Sequence, residues 1–158
     1  NFKEALDYTA AELLLEENYM PMVLALGDGI PVTDLAMQIG YVGFREGKWN
    51  PDLMMMLIEP LMYLLMALAE KADIQYRIDD EDDEDDEDSI LEDKVRNIAE
   101  TLKAKEMGKM PKGALPSDIV EKIESLDIPK ESLLERTQEP MVEQEETQPQ
   151  QSLLGQGQ

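Results

Sequence analysis

Residues 53–69, LMMMLIEPLMYLLMALA, constrain this chain more than any other stretch. They carry one charge, Glu59, and one helix breaker, Pro60, and apolar side chains would point in every direction around a helix axis. A helix that is apolar all round must be covered on all sides. Its start is well marked: Asn50 can cap the free amides, Pro51 suits the first helical position and Asp52 complements the positive end of the helix dipole. Seventeen residues span roughly 25 Å at about 1.5 Å per residue. The segments on its N-terminal side offer only two further helices, so one face, including Leu53, Leu57, Leu61 and Leu64, is expected to remain for self-association or a partner.

The first of those two helices covers residues 2–26, an amphipathic pattern with Phe2, Leu6, Leu13, Tyr19 and Leu24 on the apolar side, and Pro21 is expected to break or kink it. Gly27, Asp28 and Gly29 signal a turn. A short helix capped by Thr33 then runs through Leu35, Ala36 and Ile39, is loosened by Gly40 and Gly43, and ends at Gly47. Past the apolar helix, Ile74, Tyr76 and Ile78 alternate with polar residues. That period suits either an extended exit from the core or an edge strand offered to a partner. Residues 1–78 are thus expected to be the autonomous helical core.

Residues 79–88 are ten consecutive carboxylates and hold nearly half of the net charge of −22. Self-repulsion without apolar compensation predicts a disordered acidic linker. The run lacks the glycine that a calcium-binding loop of the EF-hand type needs at its sixth position. So acidic a chain is repelled by nucleic acid and anionic membranes, and its expected partners are neutral or basic proteins.

Residues 89–136 read as tethered helical segments. Ser89 and Glu92 make a capping box before Ile90, Leu91, Val95, Ile98 and Leu102 at helical spacing, Gly108 stops that helix, and Ser117 can open a shorter one through Leu126. A last turn is expected at 132–136. Residues 137–158, rich in Gln, Glu and Pro, are expected to be a tail that is disordered alone or held by a partner. Leu153 and Leu154 are its anchor, with Met141 and Val142 as a second apolar pair.

Chemistry is largely excluded. The chain has no cysteine and no histidine, which removes thiolate metal sites, the commonest zinc ligand and the usual general base. With 36 acidic residues, any carboxylate pair is without signal, and the glycines match no phosphate-cradling spacing. No enzyme activity, cofactor or metal is therefore expected. A membrane span is disfavoured by Glu59 and Pro60 at mid-helix and by flanks without an aromatic belt. Residues 1–7 hold no basic segment leading into an apolar run, so synthesis in the cytoplasm is expected. Glu59 is read as a structural or interface residue neutralised by Arg45, Lys48 or a partner's base. Met54, Met55, Met56, Met62 and Met66 suit either core filling or an adaptable binding surface.

Taken together, GDGIPVTDLAMQIGYVGFREGKWNPDLMMMLIEP at 27–60, the acidic linker and the Gln-rich tail resemble small acidic virion or assembly proteins of tailed bacteriophages, particularly large contractile-tailed ones. The likeness covers mainly residues 19–78. It implies a non-enzymatic protein of the phage head, neck or tail, or one assisting their assembly, which binds other subunits or further copies of itself. Assembly proteases of that group often cut after Leu or Ile, any residue, then Glu, a pattern that Leu14-Leu15-Glu16, Ile90-Leu91-Glu92 and Ile98-Ala99-Glu100 fit. The competing reading is an acidic DNA mimic that blocks a nucleic-acid-binding protein.

Overall fold

The computed structural model describes residues 1–80, 90–105 and 108–128. Six helices occupy them: α1 (Phe2–Leu13), α2 (Glu16–Gly27), α3 (Val32–Arg45), α4 (Pro51–Lys71), α5 (Ile90–Lys105) and α6 (Ser117–Glu124). No strand is present among the described residues, and the chain is mainly helical.

Helix α4 is the apolar helix, and its start is as the sequence dictates. Asn50 caps it by accepting from the Leu53 amide at 2.8 Å, and Pro51 fills the first helical position. All five other helices touch it, α3 most extensively. Leu57, Ile58, Leu61, Met62, Leu64, Leu65, Met66 and Leu68 have no exposed surface. Each large side chain removed from water in this way contributes about 1.5–3 kcal/mol before conformational entropy is subtracted. The helix is long and apolar enough to cross a membrane by length and composition, but here most of its apolar side chains from Leu57 onward are covered by protein, while Met56 is exposed.

That cover corrects the expected exposed face. The missing partners are α5 and α6, whose sequence pattern suggests tethered segments: Val95, Ala99 and Leu102 of α5 and Ile119 and Ile123 of α6 join the same core cluster as α4. Lys94 and Lys71 reinforce the join, donating to the Met55 carbonyl at 2.8 Å and the Glu124 carbonyl at 2.8 Å. Ser89, the expected cap of α5, lies outside the described residues, and Ser117 is the first residue of α6, with Pro116 at the cap position.

The first pair of helices breaks at Leu14 and Leu15, well before Pro21. Leu15 is extended, and the Asn18 side chain donates to the Glu12 carbonyl at 2.6 Å, closing α1 and letting both pieces reach α4. Pro21 sits inside α2. The carbonyl that loses its donor belongs to Glu17, and both residues are exposed, so water can substitute. Pro60 follows the same rule in α4, because the carbonyl deprived of its donor belongs to Met56, which is 51% exposed.

Two glycines expected to loosen α3 instead let it pack. A Cβ on Gly40 would lie 3.0 Å from Ile58 Cδ1 of α4, and one on Gly43 would sit inside the Trp49 ring. Trp49 folds back under the helix and donates from Nε1 to the Gly40 carbonyl at 2.9 Å. The helix therefore continues to Arg45, and Gly47, at φ 76°, supplies the left-handed residue after its cap. At the other end Thr33 is within the helix, and the cap position belongs to Pro31.

The amides that no side chain caps there are taken by the segment after α4. Val32 donates to the Arg77 carbonyl at 2.8 Å and Thr33 to the Ile78 carbonyl at 2.9 Å. These bonds make 74–78 an internal strap instead of an edge strand. Ile78 is buried, and Ile74 and Tyr76 are half-buried against the core. The acidic run also begins under restraint. Asp79 pairs with Lys103 at 2.9 Å and Asp80 with Arg77 at 3.2 Å, while 81–89 lie outside the described residues.

Candidate functional site

Helices α1, α2 and α3 wrap one flank of α4 without closing on each other, and a groove of about 500 Å³ runs between them. Its deep surface is Leu13, Leu35 and Trp49, all buried. Its rim is apolar as well: Tyr8 is 47% exposed, and Ile30 and Val42 are also open to solvent. Glu12, Asn18, Gln38, Glu46 and Lys48 supply the polar edge.

The groove arises from the helix geometry. Gly43 lets Trp49 lie against α3, and that ring sets the floor. Gly29, at φ 99°, ends α2 by turning the chain back so that the Ile30 amide reaches the Ala25 carbonyl at 3.1 Å, and this places Ile30 at the rim. On the α1 side, Lys48 lies over the Tyr8 ring at 5.4 Å and pairs with Glu46 at 2.9 Å. The hydrogen bond to Glu46 raises the Lys48 pKa above its ordinary value, so the ammonium stays charged at neutral pH.

Beyond the rim the apolar surface continues along α3. Tyr41 and Phe44 are exposed with ring centroids 6.4 Å apart, and Arg45 lies 5.7 Å over Tyr41. Apolar surface gathered around a groove in this way is how protein-docking sites are built.

The residues expected from sequence to meet partners lie elsewhere. Leu57, Leu61 and Leu64 are enclosed in the core, Leu53 is half-buried at the start of α4, and Ile78 is buried beneath the strap. Ile74 packs on the core, and the Tyr76 hydroxyl lies 2.8 Å from Glu70 Oε2 and 2.9 Å from the Gly108 carbonyl. Burial, followed by the Glu70 hydrogen bond, pushes the Tyr76 pKa up. Leu153 and Leu154 lie outside the described residues. The methionines divide: Met62 and Met66 fill the core, whereas Met56 is exposed.

Sequence reasoning misses the groove itself, although the chain holds a signal for it. Ile39, Tyr41, Val42 and Phe44, added to Leu35 and Ala36, give α3 more apolar faces than one neighbour can cover.

Two smaller clefts carry charged residues. One, of about 290 Å³, gathers Asp34, Asp79, Asp80, Glu92 and Glu100 with Arg96 and Lys103 between α3 and α5. The other holds Glu59, which accepts from the Tyr63 hydroxyl at 2.6 Å, one turn along α4. Its expected partners are engaged elsewhere, Lys48 with Glu46 at the groove and Arg45 over the Tyr41 ring beyond it. Among the described residues no group of three or more acidic side chains is placed to hold a metal ion.

No protein-family model, curated protein or solved structure matches this chain.

Proposed function

We propose that this chain is a non-enzymatic structural or assembly adaptor of a tailed-phage particle, and that it binds a neighbouring subunit through the groove between α1, α2 and α3. The groove carries the reading. It combines about 500 Å³ of space with an apolar floor and an exposed apolar rim, in a protein whose most apolar helix is already largely covered. A space of this size takes a few apolar side chains from a helix or an extended segment, the usual currency of peptide recognition. The net charge of −22 favours a neutral or basic subunit over nucleic acid. The phage setting comes from the resemblance of residues 19–78 and of the overall layout.

The test is to quantify the protein in purified particles and assembly intermediates, with wild type beside a Tyr8→Asp/Val42→Asp variant. Both positions are exposed, so the variant should keep the helical signal of wild type. Stoichiometric wild type together with a depleted, folded variant is the expected result. Absence of the wild-type protein from every particle and intermediate, or full incorporation of the variant, would sink the reading.

A further inference from the structure

Helices α4 and α5 leave a cleft of about 250 Å³ between them that shares no residue with the groove. From α4 it takes Glu59 and Tyr63, one turn apart. From α5 it takes Asn97, Ile98, Thr101 and Leu102, which repeat at helical spacing along one face, and Pro111 adds to the wall.

Glu59 is the one charged residue of 53–69, and it is half-buried. A carboxylate drawn out of water costs free energy unless donors meet it. One donor is present, the Tyr63 hydroxyl at 2.6 Å from Oε1. That bond brings no positive charge, and among the described residues Glu59 makes no ion pair. Arg45 and Lys48 are held at Tyr41 and Glu46.

Lys105 is the one cation among the residues lining the cleft, and it stands at the far end. Lys94, near the start of α5, donates to the Met55 carbonyl near the start of α4, and Gly108, past the end of α5, meets Tyr76 past the end of α4. The two helices therefore run side by side in the same direction. Asn97 and Ile98 fall nearest Glu59, and Lys105 lies eight residues beyond Asn97, about 12 Å along the axis. Around Glu59 the cleft thus offers a carboxylate oxygen, Oε2, with the side-chain oxygens of Asn97 and Thr101 nearby and apolar walls at Ile98, Leu102 and Pro111. A lysine or arginine side chain has the matching form, an aliphatic stem that packs on apolar surface and a charged head that needs acceptors.

From this geometry we propose that the cleft is a subsite for one lysine or arginine side chain of a partner protein, its stem against Ile98 and Leu102 and its charged head on Glu59. A net charge of −22 favours basic partners in general, and the cleft gives one base of such a partner a defined seat. The inference goes beyond the groove and does not rest on it.

The test uses the full chain labelled with nitrogen-15 and three blocked peptides: acetyl-Gly-Arg-Gly-amide, its Lys counterpart, and its counterpart with citrulline, the neutral analogue of Arg. At constant ionic strength the Arg and Lys peptides should shift the amide resonances of Glu59, Tyr63, Asn97, Ile98 and Thr101 saturably, and the citrulline peptide should bind roughly tenfold more weakly or worse. Glu59→Gln keeps the shape and an acceptor for Tyr63, so it should fold as wild type does and lose roughly tenfold in affinity. Lys105→Gln should bind at least as tightly as wild type.

Shifts that fail to saturate or that avoid these residues, a citrulline peptide that binds as well as Arg, or a Glu59→Gln chain that binds as wild type does would each overturn the proposal. So would weaker binding in Lys105→Gln, because the cleft would then be reading an anion, or putrescine saturating the same resonances at lower concentration than either peptide, which would assign the cleft to free polyamines. The groove reading fails separately: the Tyr8→Asp/Val42→Asp chain should bind the Arg peptide as wild type does, whether or not it enters particles.

Discussion

Helix α4 and the groove are the two most apolar features of the molecule, and they have opposite fates. Helix α4 has the higher density of Leu and Met, yet from Leu57 onward it is largely sealed, because five helices converge on it. The groove is built from mixed, moderately amphipathic helices, yet it stays open, because α1, α2 and α3 each face α4 first and meet one another incompletely. Apolar content therefore says how strongly a segment must be covered, and topology says whether enough cover is supplied. An open apolar surface is left where supply falls short, which need not be where the sequence is greasiest.

The sharpest way to break the comparison is to place a charge in the sealed region. Leu64→Asp puts an unpaired carboxylate where no surface is exposed, and it should cost more than about 4 kcal/mol, enough to unfold a domain of this size. Loss of the far-UV helical signal would register it, and a folded, cooperative Leu64→Asp protein would mean that α4 is not sealed.

Gly43→Ala tests the join between the two regions. Its Cβ would overlap the Trp49 ring, so the ring must move, the Nε1 bond to Gly40 is stretched or lost, and the groove floor rises. A loss of about 1–3 kcal/mol in denaturant unfolding is expected from such overpacking. A shift in tryptophan emission should accompany it, and that shift can be assigned because the chain has a single Trp.

A smaller effect is expected at the strap. Tyr76→Phe removes a hydroxyl shared between Glu70 and Gly108 and should cost about 0.5–1.5 kcal/mol. Because the folded-state pKa of Tyr76 is raised, the unfolded chain loses its phenol proton first. Stability should therefore hold below about pH 10 and fall as pH rises beyond it. Stability measured from about pH 9 to 11 should fall less steeply in Tyr76→Phe than in wild type.

Smallest of all, Tyr8→Asp should leave unfolding stability within about 0.5 kcal/mol of wild type, as an exposed substitution does. A large loss at Tyr8 would make the groove rim part of the core and collapse the distinction between the two regions.

Much of the sealed region is legible in the sequence, and its cover is not. Asn50, Pro51 and the long apolar run announce α4 locally, since caps and composition are short-range signals. That Val95, Ala99 and Leu102 return to cover it depends on contacts reaching across the acidic run, which no local pattern encodes. Gly40 and Gly43 mislead for a related reason: propensity counts glycine against a helix, whereas close approach of Ile58 and Trp49 requires it there. Pro21 suggests a break because its ring costs a hydrogen bond, but the orphaned carbonyl faces water. The groove cannot be located from sequence, because a gap among three helices is a property of their arrangement.

The placement of α4 in the middle of the chain also bears on how the protein is made. During synthesis α1, α2 and α3 emerge before the helix they must cover, so their apolar faces wait for it. Only five residues separate α3 from α4, so their extensive pairing closes a short loop at little entropic cost. Helices α5 and α6 emerge last, after the run of carboxylates, so the part of α4 that Val95, Ala99, Leu102, Ile119 and Ile123 cover waits longest for its cover.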